Sequence, residues 1–143
     1  MFEFTRAFRC AAALGGASLA LLLAGCGSSL NPIDGQVVWS DTGAPAKELE
    51  GAQVTFELPE KNTSSIGIVQ PDGSFQVMTA KPNDGAYAGI YTVTISERRQ
   101  SAGGELMAPT KADIRYADRA NSKLKAEVKP GRNKLVLKID RTK

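Results

Sequence analysis

The 143-residue chain contains no histidine, and aromatic residues make up only 6% of it. The absence of histidine removes the commonest general base and the commonest neutral metal ligand. In the basic segment 98–143 Tyr116 is the single aromatic residue, so aromatic side chains are not interleaved with the basic residues there, which disfavours nucleic-acid binding. Two cysteines occur, Cys10 and Cys26, both within the first 26 residues. What these thiols can do depends on the N-terminal segment that contains them.

The N-terminal segment has the pattern of a secretory signal peptide. Arg6 and Arg9 form a positive region, and an apolar stretch follows at 11–24. A transmembrane helix is the alternative, and it needs about 20 apolar residues to cross the hydrocarbon. The stretch is shorter than that and contains Gly15 and Gly16, which favours the signal peptide.

The end of this segment resembles a bacterial lipobox. Leu23, Ala24 and Gly25 precede Cys26, and a short polar segment follows. In a lipobox the cysteine thiol receives a diacylglyceryl group, cleavage occurs before the cysteine, and the new amine is acylated, for example with palmitate. An ordinary secretory cleavage site beside a free cysteine is the alternative. The resemblance predicts a signal peptide at 1–25 and membrane anchoring through Cys26, which is stable because two or three acyl chains insert.

The lipoprotein interpretation sets what remains in the mature chain. Cys10 leaves with the signal peptide and Cys26 is lipidated, so no disulfide and no free thiol remain. A flexible tether is predicted at 26–32 and one domain at 33–140, large enough to bury about two-thirds of its unfolded surface. Gly27 stands where an aspartate often retains lipoproteins at the inner membrane, so we expect the outer membrane.

Charge is distributed unequally between the two halves of the mature chain. Residues 26–97 contain nine acids and three bases, a net of −6, whereas residues 98–143 contain five acids and thirteen bases, a net of +8. The halves should therefore attract each other, with lysines of the last strands facing glutamates of earlier strands. A basic surface for an anionic polymer or lipid is the functional alternative.

Seven short segments have the alternating pattern of half-buried strands, and none has a sustained helical period. The clearest alternations are Val54, Phe56 and Leu58 against polar neighbours, and the last two segments, read as a hairpin around Pro130 and Gly131. This pattern predicts an all-β fold, a seven-stranded antiparallel β-sandwich. The predicted strands are 33–39, 52–58, 66–70, a fourth opened by Phe75 and Val77, 90–96, 123–129 and 134–140.

The first half of the mature chain contains four strand-and-turn motifs: Gly35-Gln36-Val37-Val38, Gly51-Ala52-Gln53-Val54-Thr55-Phe56, Asp72-Gly73-Ser74-Phe75 and Gly89-Ile90-Tyr91-Thr92-Val93-Thr94-Ile95. These motifs resemble the carboxypeptidase regulatory-like and transthyretin-like β-sandwiches, in particular the small lipoproteins of that type in planctomycete bacteria. Tyr116-Ala117-Asp118 and Gly131-Arg132-Asn133 in the second half are similar too. The resemblance implies a non-catalytic, envelope-associated module, because strand and turn motifs specify fold and not chemistry. The connection 41–51 is longer than the usual pattern.

No catalytic residue, metal site or cofactor is predicted from these residues. The polar segment 98–109, with Arg98, Arg99 and Glu105, is the expected binding loop for an envelope protein or polysaccharide. Asp72 and Asp84 are expected to shape turns, because neither stands among the ligands that calcium loops need. Two other functions are considered: adhesion or assembly through open sheet edges, and a hydrolase of small heterocycles, whose chemistry in transthyretin-like relatives uses the histidines that this chain lacks.

Overall fold

The computed structural model of the protein describes residues 29–97 and 110–143. Seven β-strands and three short 3₁₀ helices occur within them. The strands are β1 Ile33–Trp39, β2 Gln53–Leu58, β3 Thr63–Ile68, β4 Ser74–Met78, β5 Gly89–Ser96, β6 Lys125–Val128 and β7 Asn133–Ile139. The 3₁₀ helices are Lys47–Leu49, Pro59–Lys61 and Ile114–Ala117. No helix of this described part is long and apolar enough to cross a membrane.

The strands form one mixed, nearly barrel-shaped sheet in the order β6-β5-β2-β3-β4-β1-β7. β4 connects its two halves, because Ser74–Gln76 pair with β1 while Val77 and Met78 pair with β3. The all-β prediction is confirmed. The prediction that every strand pair is antiparallel is wrong, since β1 and β7 run parallel along their whole length.

The predicted hairpin of β6 and β7 is also wrong, because these strands lie at opposite ends of the sheet order. Asn133 supplies the reason. Its Oδ1 accepts the Lys129 N–H at 2.9 Å and its Nδ2 donates to the Lys129 carbonyl at 2.8 Å, which satisfies the groups that a hairpin partner would pair. The Asn133 N–H donates to the Pro32 carbonyl at 2.8 Å, which directs β7 to β1.

Several strand details follow the predicted alternation and others depart from it. β1 has the predicted bounds, whereas β3 occupies Thr63–Ile68 rather than 66–70. Thr92 and Thr94, on the face of β5 opposite Tyr91, are buried as well. The 3₁₀ helix Ile114–Ala117 contacts β5, and the Lys125 amine donates to the Thr92 hydroxyl at 2.7 Å. Both faces of β5 are therefore covered between Tyr91 and Ile95.

The core is built around aromatic side chains from three strands. The ring centroid of Phe56 lies 6.0 Å from that of Phe75 and 5.9 Å from that of Tyr91, the latter edge to face. Aliphatic side chains from β1, β2, β4, β5 and β7 fill the space around them. Such tilted pairs add to the stabilisation that burial alone provides.

The ends of β1 define two ends of the domain. At the Asn31 end, the Asn31 Oδ1 accepts the Gly131 N–H at 2.8 Å, and the Asn31 N–H donates to the Ala86 carbonyl at 2.7 Å. The connections 59–62, 79–88 and 129–132 lie here, because the strand directions bring them together. The connections 40–52 and 69–73 lie at the opposite Trp39 end.

Candidate functional site

The predicted site residues lie outside the described part of the chain. These are the lipobox with Cys26 and the loop residues Arg98, Arg99 and Glu105. The two residues that flank the predicted loop, Glu97 and Thr110, are described, and they lie at the Trp39 end because Glu97 directly follows β5. This end is therefore the candidate binding surface.

The flanks of 98–109 are held together by hydrogen bonds. One oxygen of Glu97, Oε1, accepts the backbone N–H groups of Lys111 and Ala112, each at 2.8 Å. Ala112 then pairs with Arg141 in an antiparallel bridge just beyond β7. Glu97, Lys111 and Ala112 are thus held together on one base that is tied to the sheet.

A shallow pocket of about 230 Å³ lies beside this base. Ile95 and Ser96 of β5 form one side, and the segment from Thr110 to Ala117 forms the other. Ile114, which also lines the pocket, is a large aliphatic side chain that is 57% exposed. The pocket therefore offers a small apolar contact beside polar hydrogen-bonding groups, a combination common in binding sites.

Trp39 and Arg141 form the centre of a polar cluster at the same end. The Trp39 Nε1–H donates to Glu48 Oε2 at 2.9 Å, and the Arg141 guanidinium lies 4.0 Å from the centroid of the Trp39 ring. Arg141 Nη1 is 3.2 Å from Glu48 Oε1, and its Nε is 3.5 Å from an oxygen of Asp41. The cluster joins the β1–β2 connection to the end of β7 through a cation–π contact and two ion pairs.

Asp140 is the centre of a second cluster beside the first. The Ser40 hydroxyl and the Arg115 guanidinium both donate to its carboxylate, and the Tyr116 hydroxyl lies 3.2 Å from Oδ2. The hydrogen bond from Ser40, with those from Tyr116 and Arg115, lowers the pKa of Asp140 below its ordinary value. Asp140 is thus held ionised, as a structural acceptor.

Like Asp140, Glu48 is held in its ionised form by its neighbours. Hydrogen bonds from its own backbone N–H and from Trp39, with a smaller contribution from Arg141, lower the pKa of Glu48 from 4.5 to about 2. A group whose pKa is lower in the folded state stabilises the fold when it is ionised. That contribution is complete above about pH 4.5 and is lost as the pH falls towards 2.

We therefore expect the free energy of unfolding to fall between pH 4.5 and 2, and to fall less steeply in Glu48→Gln. The difference between the two proteins should be modest, because the Glu48 side chain is 46% exposed and solvent screens its ion pair. Urea unfolding at pH 7 and at pH 3, for both proteins, measures it. Equal acid sensitivity of the two proteins would contradict this role of Glu48.

Ion pairs join the acidic and basic halves of the chain. They are made by arginines rather than by the predicted strand lysines. Arg119 Nε is 2.7 Å from Glu57 Oε2, and Arg132 Nε is 3.0 Å from Asp34 Oδ2. These arginines come from connections between strands. The predicted attraction of the halves is therefore present with different residues.

Asp72 and Asp84 both shape turns. Asp84 accepts the N–H groups of Thr79, Ala80 and Lys81, and Asp72 Oδ1 accepts both the N–H and the hydroxyl of Ser74. Burial raises the pKa of Asp84, but its backbone hydrogen bonds together outweigh this effect and the pKa is lowered. Each carboxylate is thus occupied by its own turn.

A groove that sequence reasoning missed lies where β4 changes partners. Its volume is about 480 Å³, and Asp34, Gln76, Met78 and Ile68 are among its walls. Gln76 Nε2 donates to Oδ1 of Asp34, its partner on β1, at 3.0 Å. The groove depends on the pairing of β4 with both β1 and β3, which no local motif indicates.

Comparison with known proteins places the chain in no family. No family model matches it, and no curated protein matches it. A solved structure that it resembles is a DUF3823 family protein from Parabacteroides merdae ATCC 43184, with 15% sequence identity and a TM-score of 0.44. The match covers 80% of this chain but 47% of that protein, so this chain spans about half its length. The resemblance to carboxypeptidase regulatory-like domains stays a prediction.

Proposed function

We propose that the protein is a lipid-anchored, non-catalytic lipoprotein of the cell envelope, most simply of the outer membrane, whose β-domain binds an envelope protein or polysaccharide. The lipobox-like sequence Leu23 to Cys26 supports the anchor. The change of partners along β4, from β1 at Ser74–Gln76 to β3 at Val77, supports a two-layer sandwich of the carboxypeptidase regulatory-like, transthyretin-like type.

The observation that carries this proposal is that Asn31 and the flanks of 98–109 lie at opposite ends of the domain. Five residue steps separate Cys26 from Asn31, and they span at most about 18 Å. A lipid on Cys26 would hold the Asn31 end against the membrane. The Trp39 end, with Glu97 and the pocket beside Ile114, would then face away from the membrane towards other envelope components.

A binding role fits the state of the acids at this end better than catalysis. A general acid needs a pKa raised towards the working pH. The pKa of Glu48 is lowered to about 2, and that of Asp140 is lowered as well. Both carboxylates serve as fixed acceptors within ion pairs. They support a rigid surface rather than proton transfer.

The anchor is tested by Cys26→Ser. This variant should leave the membrane fraction, because no acyl chain can be attached without the thiol. Cell fractionation with high-salt and carbonate washes measures the distribution, with Ser29→Ala as the matched control. Persistence of Cys26→Ser in the washed membranes would contradict the lipoprotein proposal.

The binding surface is tested by site-specific crosslinking in intact cells. A photoreactive residue at Ile114, on the Trp39 end, should capture a partner, whereas the same residue at Ile90, near the start of β5, should not. The two positions are matched in exposure, at 57% and 66%. Replacing 99–108 with a glycine-serine segment of equal length should reduce the Ile114 product. Equal crosslinking at both positions, or no change on replacement, would contradict the proposal.

Adhesion through sheet edges is the second candidate. β6 and β7 are the terminal strands of the sheet, and Val136 on β7 is 60% exposed. Lys134 and Lys138 flank Val136, and charged lysines on an edge oppose pairing with another strand. The edges thus favour a charged partner over strand addition.

A further inference from the structure

Arginines and lysines have different roles in this domain. Among the described residues, each of the four arginines, Arg115, Arg119, Arg132 and Arg141, forms an ion pair. Of the ten lysines described, only Lys129 does, with Glu127 of the same strand end at 3.8 Å. Most of the ion-paired acids of the described part are therefore neutralised by arginines, and most of its lysines form no ion pair.

Five of these lysines lie on or beside the two terminal strands, and we call them the lysine strip. Every member is exposed, whereas the alternate positions Ala126, Val128 and Leu137 point into the core. β6 and β7 themselves carry Lys125, Lys134 and Lys138 and a single acid, Glu127, while Lys123 and Lys129 flank β6. The strip consists of Lys123, Lys125, Lys129, Lys134 and Lys138.

The strand geometry sets the spacing and direction of the strip. Side chains on one face of a strand recur every second residue, about 7 Å apart, so Lys134 and Lys138 are separated by about 13 Å. β7 runs from the Asn31 end to the Trp39 end. The positive charges are thus spread along the side of the domain rather than gathered at one end.

This distribution matches a linear anionic partner. A lysine ammonium is a flexible point charge that suits diffuse attraction, whereas fixed bidentate recognition uses arginine. A flat bilayer at the Asn31 end could contact Lys129 and Lys134 but not Lys138 at the same time. An extended polymer with a charge on each repeat could follow the whole strip. Within the strip, Lys125 donates to Thr92 and Lys129 pairs with Glu127. Protection of the strand edges alone would not require Lys123, Lys134 and Lys138 as well, whose side chains have no ion pair or hydrogen bond with another described residue.

We propose that the lysine strip binds an acidic polysaccharide of the envelope, one with carboxylate groups along its chain. This inference rests on the proposed function for the orientation of the strip relative to the membrane. The polysaccharide would lie along the side of the sheet, separate from the Trp39 end.

The test is binding of the purified full chain, in detergent, to immobilised polygalacturonate, with neutral dextran as the comparison polymer. The triple variant Lys123→Gln, Lys134→Gln, Lys138→Gln should lose about tenfold or more in affinity at low salt, and its binding should depend less on salt. The control triple, Lys47→Gln, Lys61→Gln, Lys81→Gln, removes the same charge from loops. The affinity of this control for polygalacturonate should stay within about twofold of that of the unchanged protein.

Three results would overturn the proposal. Equal losses in both triples would show attraction by net charge without a site. Binding to vesicles containing phosphatidylglycerol, with none to polygalacturonate, would assign the strip to a membrane surface. Absence of binding to both would leave the lysines as edge protection.

Unchanged unfolding midpoints of both triple variants establish that the folds are intact. Because this assay does not use the anchor, it can fail while Cys26→Ser still leaves the membrane, which separates the two proposals.

Discussion

Gly85→Ala is expected to destabilise the domain by about 3 to 5 kcal/mol, or to prevent its folding. A Cβ at Gly85 would lie 1.9 Å from the carbonyl oxygen of Asn31 and 2.3 Å from its carbonyl carbon. Both are backbone atoms, so no side-chain rotation can relieve the overlap. The backbone of Gly85 also has φ +85°, a conformation that L residues adopt at a cost. Urea unfolding monitored by Trp39 fluorescence measures the loss.

Gly51→Ala is the matched control for this prediction. Gly51 has φ +79°, close to that of Gly85, but no atom lies within 4 Å of a Cβ built on it. It should therefore cost only the conformational penalty, about 1 to 2 kcal/mol. The additional loss of unfolding free energy in Gly85→Ala, relative to Gly51→Ala, measures the overlap with Asn31. Equal losses in the two variants would show that the contact with Asn31 is not tight.

The close approach of Gly85 has a consequence for the predicted anchor. Asn31 exchanges backbone hydrogen bonds with Ala86 in both directions, at 2.7 and 3.1 Å, and it is only 4% exposed. Its side chain also accepts the Gly131 N–H and donates to the Ser29 carbonyl. A pull on the tether would therefore act on three segments of the domain at once. If Cys26 carries the predicted lipid, these contacts would hold the domain close to the membrane.

The strands that sequence reasoning located well are those decided by local alternation. Val54, Phe56 and Leu58 alternate with polar residues, and all three are fully buried in β2. The pattern succeeds because side chains of a strand alternate between its faces. The predicted bounds of β3, 66–70, were shifted from the observed Thr63–Ile68. The inward-facing residues of this strand include Ser65 and Gly67, which an apolar alternation does not reveal. The inward glycine makes room for the ring of Phe75.

The strand order could not be predicted from alternation. The turn residues Pro130 and Gly131 are typical of a hairpin, yet the side chain of Asn133 closes the connection on Lys129 and the chain passes to β1. Whether an asparagine side chain or a backbone strand satisfies Lys129 depends on Pro32, about 100 residues earlier, which accepts the Asn133 N–H. Local sequence does not contain that information.

The candidate surface has the same dependence on distant residues. Trp39, Glu48 and Arg141 form one cluster, although Arg141 is 93 positions from Glu48. The unequal charge of the two halves correctly indicated that they attract each other. It could not indicate that arginines in connections make the ion pairs, because loop positions follow from the strand order. The lysine strip appears only when β6 and β7 are known to be the terminal strands.

Gly35→Ala is expected to destabilise the domain by about 2 to 4 kcal/mol, through a clash with a side chain. A Cβ on Gly35 would lie 2.0 Å from Cζ of Phe75, whose ring is buried between β1 and the neighbouring strands. Gly35 and Phe75 are direct cross-strand partners, so the ring lies over the glycine. Because the ring is enclosed by core side chains, it cannot move aside without disturbing Phe56.

A double-mutant cycle tests this contact. Phe75→Leu alone should cost about 1 to 2 kcal/mol because it leaves a cavity, but it removes the ring atoms that meet the new methyl group. The combined Gly35→Ala, Phe75→Leu protein should therefore be more stable than the sum of the two losses predicts, by about 1 kcal/mol or more. Urea unfolding of the four proteins gives the coupling energy. Additive losses would show that Phe75 is not what requires a glycine at position 35. A coupling of the expected sign would identify this pair as the contact that allows β1 and β4 to approach closely beneath the groove at Asp34.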